Sequence, residues 1–155
     1  DGVRRAGISG FVIKAEPSAG LPFGIRISNS NVNLANLEVS GALRAGILVE
    51  GDSGGTVAAC YIHSNSGPGI VGKDTASPVL VGNVLHANGA IRNQPAPGLY
   101  LTGASNPEVK RNVFSANGAE AIRLQRQELK EKMTDNLFIG SGKKARSVVV
   151  EKPRQ

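Results

Sequence analysis

Two stretches, DTASPVLVGNVLHANG at residues 74–89 and GASNPEVKRNVFSANG at residues 103–118, determine how this sequence is interpreted. When they are aligned, a Pro, an Asn-Val pair and a closing Ala-Asn-Gly fall at the same places. Both contain short runs in which apolar residues stand two apart, as in strands, and both separate these runs with the residues that favour turns. The pair therefore indicates an internal repeat of short strands, the feature that most strongly constrains an architecture.

The repeat continues along most of the chain in two registers. One phrase, a small residue followed by two apolar residues around a variable one, begins at residues 24, 46, 69, 98, 121 and 147, at intervals of 22, 23, 29, 23 and 26. A second phrase begins at residues 37, 60, 83, 112 and 136, at intervals of 23, 23, 29 and 24. Both lengthen at the same place, so one insertion at Ala90–Pro97 explains both.

This period predicts a solenoid. A unit of about two dozen residues can wind once around an axis and pair each strand with its copy in the next coil, about 4.8 Å away. We predict an all-β, right-handed parallel β-helix of about six coils, with its repeats at 24–150, an irregular first coil and loop at 1–23, and a tail at 151–155. Residues 1–155 are expected to form one domain and a segment of a longer protein, because neither end shows a cap.

Asparagines recur at the turns of the predicted coils. Two columns are formed, by Asn83, Asn112 and Asn136 and by Asn65, Asn88 and Asn117. Stacked Asn side chains can bond to the backbone of their own and the adjacent turn, so the columns predict ladders. Leu37 and Cys60 replace Asn in the first column, and we therefore interpret Cys60 as a buried apolar filler rather than a nucleophile.

The two quoted stretches, alternating with the GLYL and AIRL strands, resemble the parallel β-helix repeats of the pectate-lyase (pectin-lyase-like) superfamily. More narrowly, they are similar to repeats of carbohydrate-binding and sugar-hydrolase (CASH) domains, of periplasmic copper-maturation proteins and of F-box substrate receptors. The resemblance implies the fold rather than an activity, because the shared residues are core and turn positions. The Gly-His-Gly and Arg-x-Lys tripeptides of polygalacturonases and the Trp-x-Asp-His segment of pectate lyases are missing from that setting.

One outward column carries the leading functional hypothesis. The variable residue of the first phrase points outward, which defines an outer stripe made of Arg26, Leu48, Val71, Tyr100 and Arg123. An exposed apolar centre with an aromatic ring, flanked by two arginines, is typical of an interaction site. A loop or a neighbouring domain that covers the stripe is the alternative.

Two other groups of residues are weaker candidates for chemistry. Glu50, Asp52 and Asp74 are acidic residues on successive coils, which could serve paired-carboxylate hydrolysis or calcium binding, although Asp is common in turns, and Glu50 should lie within ion-pair reach of Lys73. His63 and His86 should stack in one column, but zinc or copper would need a suitable third ligand. The sequence therefore assigns neither a catalytic residue nor a metal site.

Composition and charge narrow the remaining possibilities. The chain carries a net charge of +6, most of it after residue 107, which we interpret as keeping the surface soluble. Nucleic acid is disfavoured because no aromatic platforms accompany the basic residues, no apolar run approaches the ~20 residues of a membrane span, and no cofactor motif is present. No compartment is assigned. The leading hypothesis is a non-catalytic binding module for a protein or polysaccharide partner, or for a neighbouring domain. A fragment of a carbohydrate-active enzyme and a self-assembling rod are the alternatives.

Overall fold

The computed structural model describes residues 6–91, 93–140 and 147–151. In these ranges the chain winds as a solenoid, and each coil contributes one strand to each of three parallel six-stranded sheets. The predicted all-β parallel β-helix of about six coils is therefore confirmed. No helix in the part of the chain that the structure describes is long and apolar enough to cross a membrane.

The strands are short and follow one another in the order A, B, C around each coil. Sheet A contains β1, β4, β7, β10, β13 and β16, at Ala6–Ser9, Val32–Ala35, Thr56–Ala58, Val79–Val81, Glu108–Lys110 and Met133–Thr134. Sheet B contains β2, β5, β8, β11, β14 and β17, at Val12–Lys14, Glu38–Ser40, Tyr61–His63, Val84–His86, Val113–Ser115 and Leu137–Ile139. Sheet C contains β3, β6, β9, β12, β15 and β18, at Phe23–Ser28, Ala45–Glu50, Ile70–Gly72, Leu99–Leu101, Ile122–Leu124 and Val148–Val150. Two 3-10 helices lie at Pro17–Ala19 and Gln127–Lys132.

The core is a set of vertical columns of apolar side chains, as the two-residue alternation predicts. In sheet A, Leu80 pairs with Val57 of the preceding coil and with Val109 of the following coil, and all three side chains are buried. In sheet B, Phe114 is fully buried and stacks on Phe138 of the next coil with 5.5 Å between the ring centroids. Because strand pairing repeats the same position in each coil, an inward side chain within the stack lies next to its equivalents in the coils above and below.

The predicted asparagine ladders are present at two bends of the coil. The backbone N–H and the side-chain amide of Asn83 both donate to Asn112 Oδ1 at 2.9 Å, and Asn112 repeats both bonds to Asn136. In the second ladder, Asn88 donates to Asn117 Oδ1 and to a backbone carbonyl of the preceding coil. The ladders satisfy backbone groups that a buried bend would otherwise leave unpaired.

The single cysteine of the chain belongs to the first of these columns. Cys60 occupies a ladder position, is 2% exposed, and its backbone N–H donates to Asn83 Oδ1 at 3.0 Å. Burial raises the pKa of its thiol. It is a buried filler, as the sequence predicts.

The two regions outside the regular repeat are partly described. Within residues 1–23, β1 and β2 pair with β4 and β5 and so extend sheets A and B, while residues 1–5 lie outside the described ranges. The predicted tail lies outside them too, apart from Glu151. The described residues of the insertion, 90–91 and 93–97, lie outside the strands, between β11 and β12.

Candidate functional site

The outer stripe lies on sheet C, where strand pairing aligns its residues in one row across successive coils. Exposure along the row is uneven, because Arg26 is exposed whereas Val71, Tyr100 and Arg123 are partly buried. Leu48 is only 5% exposed, so the prediction of an exposed apolar centre is wrong at this residue. We attribute its burial to the Arg26 side chain, which starts beside Leu48 and crosses to a carboxylate on the same strand.

That carboxylate belongs to Glu50, which is the centre of a charge network. Glu50 forms an ion pair with Arg26 on one side and with Lys73 Nζ at 2.6 Å on the other, and its side chain is 7% exposed. The hydrogen bond from Lys73, and then that from Arg26, hold the pKa of Glu50 below its usual range although burial opposes them. A carboxylate kept ionised by two cations is poorly suited to act as a general acid.

A second network surrounds Tyr100 at the other end of the stripe. Its hydroxyl donates to Glu151 Oε2 at 2.9 Å, and the guanidinium of Arg123 lies 5.7 Å from the ring centroid. Arg123 also forms an ion pair with Glu120 and lies 3.7 Å from Glu151. Burial, followed by the bond to Glu151, raises the pKa of Tyr100, so the phenol stays protonated. The ring is therefore held in one position.

The remaining acidic candidates occupy exposed turns. Asp74 Oδ2 accepts a hydrogen bond from the Gly51 N–H at 3.2 Å, and the Asp52 N–H donates to Asn29 Oδ1 at 3.1 Å. These contacts tie neighbouring coils together, which is a turn role. The catalytic interpretation of Asp52 and Asp74 gains no support from them.

The two histidines are stacked in one column, and each has its own partner. Strand pairing places His63 opposite His86 on sheet B. His63 Nε2 lies 3.1 Å from Glu38 Oε1, and His86 Nδ1 lies 2.9 Å from Ser115 Oγ. The Tyr61 ring stacks on His63 with 4.2 Å between centroids. Within the described ranges, no group of three or more His, Cys, Asp or Glu residues could hold a metal ion.

The stripe on sheet C is not the most exposed apolar surface. The outer face of sheet B exposes four large apolar side chains, namely Val12 at 68%, Tyr61 at 40%, Leu137 at 54% and Ile139 at 50%. The second sequence phrase contains the signal for this face, because the residue before each inward position recurs with the same period, and one such residue is Tyr61.

A groove of about 350 Å³ lies where sheet B begins. Phe11, which is 60% exposed, and Tyr61 line it together with Val12, Asn36 and Glu38. The other four Phe and Tyr residues of the chain are buried or partly buried. The two exposed aromatic side chains therefore converge on one groove, which we call the Phe11–Tyr61 groove.

A family model described as the right handed beta helix region matches residues 19–152. The three parallel sheets, to which each coil contributes one strand, and the Asn ladders agree with this match. The chain belongs to this right-handed β-helix family. No curated protein and no solved structure matches the chain. Membership establishes the fold of this β-helix, and a fold does not by itself determine a function.

Proposed function

We propose that this β-helix is a non-catalytic binding module that contacts a protein partner through the outer face of sheet C. The contact residues are Val71, Tyr100 and Arg123, with Arg26 at the edge and with Leu48 acting as support beneath the surface. The observation that carries the proposal is the fixed Tyr100–Arg123 pair beside charges that already compensate one another.

The charges of this face favour binding over catalysis. Glycoside hydrolysis by two carboxyl groups requires one that is protonated and one that is ionised. On sheet C, Glu50 is held by Arg26 and Lys73, and Glu120 and Glu151 lie against Arg123. Each carboxylate therefore serves as a counter-ion that positions a cation.

The contact residues are of the types that dominate protein interfaces. Tyr and Arg are enriched among the residues that contribute most binding energy, and they act best when they are already held in the bound position. Tyr100 is held by Glu151 and by the neighbouring guanidinium. Arg26 keeps 59% of its side chain exposed and can reach a carboxylate of a partner.

A quantitative capture experiment tests the proposal. The immobilised β-helix and the variants Val71→Asp and Tyr100→Ser are compared for retained proteins by mass spectrometry. Val79→Asp is the matched control, because Val79 is a partly buried valine on the outer face of sheet A. We expect a specific partner to lose about tenfold or more in affinity with both sheet C variants and to keep its affinity for the control. Circular dichroism confirms that each variant is folded.

Two results would contradict the proposal. The first is a set of retained proteins that does not change in either sheet C variant, or that changes equally in Val79→Asp. The second is release of reducing ends or unsaturated products from acidic polysaccharides that is lost in Glu50→Gln, which would instead support a carbohydrate-active enzyme.

A further inference from the structure

We propose that Ser64, His63 and Glu38 form a nucleophilic site that cleaves small uncharged carboxylic esters. Glu38 begins β5, His63 ends β8 in the next coil, and Ser64 follows it directly. The site therefore belongs to sheet B, in the middle coils of the solenoid. It adds an activity on that sheet and leaves the outer face of sheet C as the non-catalytic binding surface.

The imidazole of His63 links a hydroxyl to a carboxylate. Its Nδ1 lies 3.1 Å from Ser64 Oγ, and its Nε2 lies 3.1 Å from Glu38 Oε1. An ionised carboxylate only accepts hydrogen bonds, so Glu38 selects the tautomer in which Nε2 carries the proton. Nδ1 is then free to accept the proton of Ser64. A nucleophile within hydrogen-bond reach of a base that a third group orients is the arrangement found in serine hydrolases.

The base is held in place, whereas the nucleophile is accessible. The Tyr61 ring stacks on His63 with 4.2 Å between the centroids and an interplanar angle of 20°. The His63 side chain is only 19% exposed, while Ser64 is an exposed residue. A substrate can therefore reach the hydroxyl, and the imidazole keeps its orientation between its two partners.

The fold does not require a serine at residue 64. Ser64 precedes a ladder residue, and the equivalent residues of the next two coils are Ala87 and Ala116. All three have a left-handed φ of 51°, so alanine adopts the backbone of this bend as serine does. The hydroxyl of Ser64 is therefore available for a role other than forming the turn.

The neighbouring coil provides an internal comparison. Strand pairing places His86 opposite His63, and His86 Nδ1 lies 2.9 Å from Ser115 Oγ. The residue that corresponds to Glu38 in this second pair is Tyr61, which is not a carboxylate. The second histidine therefore has a hydroxyl partner but lacks the group that would fix its tautomer.

A second groove, of about 340 Å³, lies beside the nucleophile. It is lined by Ser64, Asn65, Ser66, Ala87, Ala90 and Ile91. Ala90 and Ile91 belong to the insertion that lengthens the repeat, and insertions into repeat proteins often form binding loops. None of these six lining residues is ionisable, and three are apolar. The groove therefore complements an uncharged ester with a short apolar acyl group.

The reaction is an acyl transfer to serine followed by hydrolysis. Ser64 Oγ forms a bond to the ester carbonyl carbon while its proton passes to His63 Nδ1. The bond from that carbon to the alcohol oxygen breaks, and His63 gives the proton to the leaving alcohol. A water oxygen then bonds to the acyl carbon, the bond to Ser64 Oγ breaks, and one water proton passes through His63 to Ser64. A carboxylic acid and an alcohol are released.

The groove also holds a hydrogen-bond donor for the developing charge. Ser66 lines it together with Ser64, and its hydroxyl can donate to the carbonyl oxygen as that oxygen becomes negative.

Covalent labelling with a fluorophosphonate probe tests the nucleophile, because Ser64 Oγ displaces fluoride and the probe stays on the chain. We expect peptide mass spectrometry to find the label on Ser64, and we expect p-nitrophenyl acetate to be hydrolysed. Ser64→Ala should lose the label and should still fold, since alanine occupies this bend in the next two coils. His63→Gln should slow both reactions about a hundredfold or more, because a general base contributes about 10²–10⁴-fold.

The role of Glu38 is that of a positioning residue, because it acts through His63. Glu38→Gln should slow labelling about tenfold or more, since the wrong tautomer removes the base, and Glu38→Asp should retain more of the rate. NMR of the His63 ring nitrogens reads the tautomer directly. The form protonated at Nε2 should dominate in the unaltered chain and should lose that dominance in Glu38→Gln.

The matched control is Ser115→Ala, because Ser115 also contacts a histidine but has no carboxylate at the place of Glu38. It should leave the labelling of Ser64 and the hydrolysis rate unchanged. Absence of label on Ser64, equal labelling of Ser115, or labelling that continues unchanged in His63→Gln would each overturn the inference. Failure here is distinguishable from failure of the protein site, because Ser64→Ala should keep the partner affinity that Val71→Asp loses.

Discussion

The outer faces of sheets B and C share one backbone geometry and differ in what their side chains do. On sheet C, long charged side chains cross between coils and form ion pairs with Glu50, two residues along the strand from the buried Leu48. On sheet B, Tyr61 and Leu137 remain exposed, and the Glu38 carboxylate lies 3.1 Å from the His63 ring nitrogen Nε2. The outward side chains of this β-helix therefore form separate vertical columns, and neighbouring sheets present different surfaces.

The two faces also differ in how rigidly they are organised. On sheet C, the cations near Glu50 and Tyr100 have fixed partners, so a ligand would meet a surface that is already arranged. On sheet B, the Phe11–Tyr61 groove offers hydrogen-bonding groups that the protein leaves unused. We expect the outer face of sheet C to recognise a complementary surface.

The largest expected effect comes from the ladder that supports both faces. In Asn112→Ala, the Asn83 N–H and the Leu80 carbonyl lose their side-chain partner inside the solenoid. Buried groups left unpaired cost about 1–3 kcal/mol each, so we expect the free energy of unfolding to fall by about 3 kcal/mol or more. Urea denaturation measures the loss. Asn106→Ala, at an exposed asparagine in the segment before β13, should change stability by less than about 0.5 kcal/mol.

If Asn112→Ala weakened binding at one face and spared the other, the two faces would not share a support. That outcome would contradict the description of the β-helix as one cooperative scaffold. Equal losses at both faces, in proportion to the fraction unfolded, would confirm it.

The ladders could be predicted from the sequence because an Asn side chain at a buried bend can form hydrogen bonds with the backbone of its own and the adjacent coil. The local backbone was less predictable. Ala59, Ala87 and Ala116 each precede a ladder residue and adopt left-handed φ angles of 51°, which non-glycine residues rarely do. The ladder hydrogen bonds of the following residue compensate this strain, and their effect on the preceding residue is not visible in the repeat pattern.

The two surfaces were predictable to different degrees. The alignment of the outer stripe follows from the period, but the burial of Leu48 depends on where the flexible side chain of Arg26 finds its partner. The Phe11–Tyr61 groove could not be predicted from the sequence, for another reason. Phe11 lies in the first coil, where the repeat is weakest, and periodicity assigns it no position.

An intermediate effect is expected when the charge network of sheet C loses its centre. Glu50→Gln leaves Arg26 and Lys73 without their shared carboxylate, next to apolar Leu48. We expect a loss of about 1–2 kcal/mol in the free energy of unfolding, reduced from the value for a fully buried pair because both cations are partly exposed. Thermal melting at neutral pH measures it. Glu38→Gln on sheet B is the matched variant and should cost less, because that carboxylate has a single partner.

The pH dependence of stability provides a second test of the Glu50 charge network. The pKa of Glu50 is lowered in the folded state, chiefly by Lys73 and then by Arg26, so folding favours its ionised form. The resulting stabilisation is fully present above the ordinary Glu pKa of about 4.3 and is lost as the pH falls through the lower folded value. The stability difference between the unaltered chain and Glu50→Gln should therefore be constant near neutrality and should narrow in acid. A difference that did not change with pH would mean that the ion pairs contribute nothing.

The smallest expected effect is the difference in stability between removing the exposed ring of Tyr61 and removing the partly buried ring of Tyr100. Tyr61 is 40% exposed and stacks on His63 at 4.2 Å and, more distantly, on His86 at 6.4 Å between centroids, so Tyr61→Ala should lower the free energy of unfolding by less than about 1 kcal/mol. Tyr100→Ala should cost more, about 2 kcal/mol, because it removes a partly buried ring and the hydrogen bond to Glu151. Chemical denaturation of both variants under one set of conditions measures the difference. Equal losses would show that the Tyr61–His63 stack stabilises the fold as strongly as the Tyr100 network does. In that case the exposure of Tyr61 would no longer set the outer face of sheet B apart from that of sheet C.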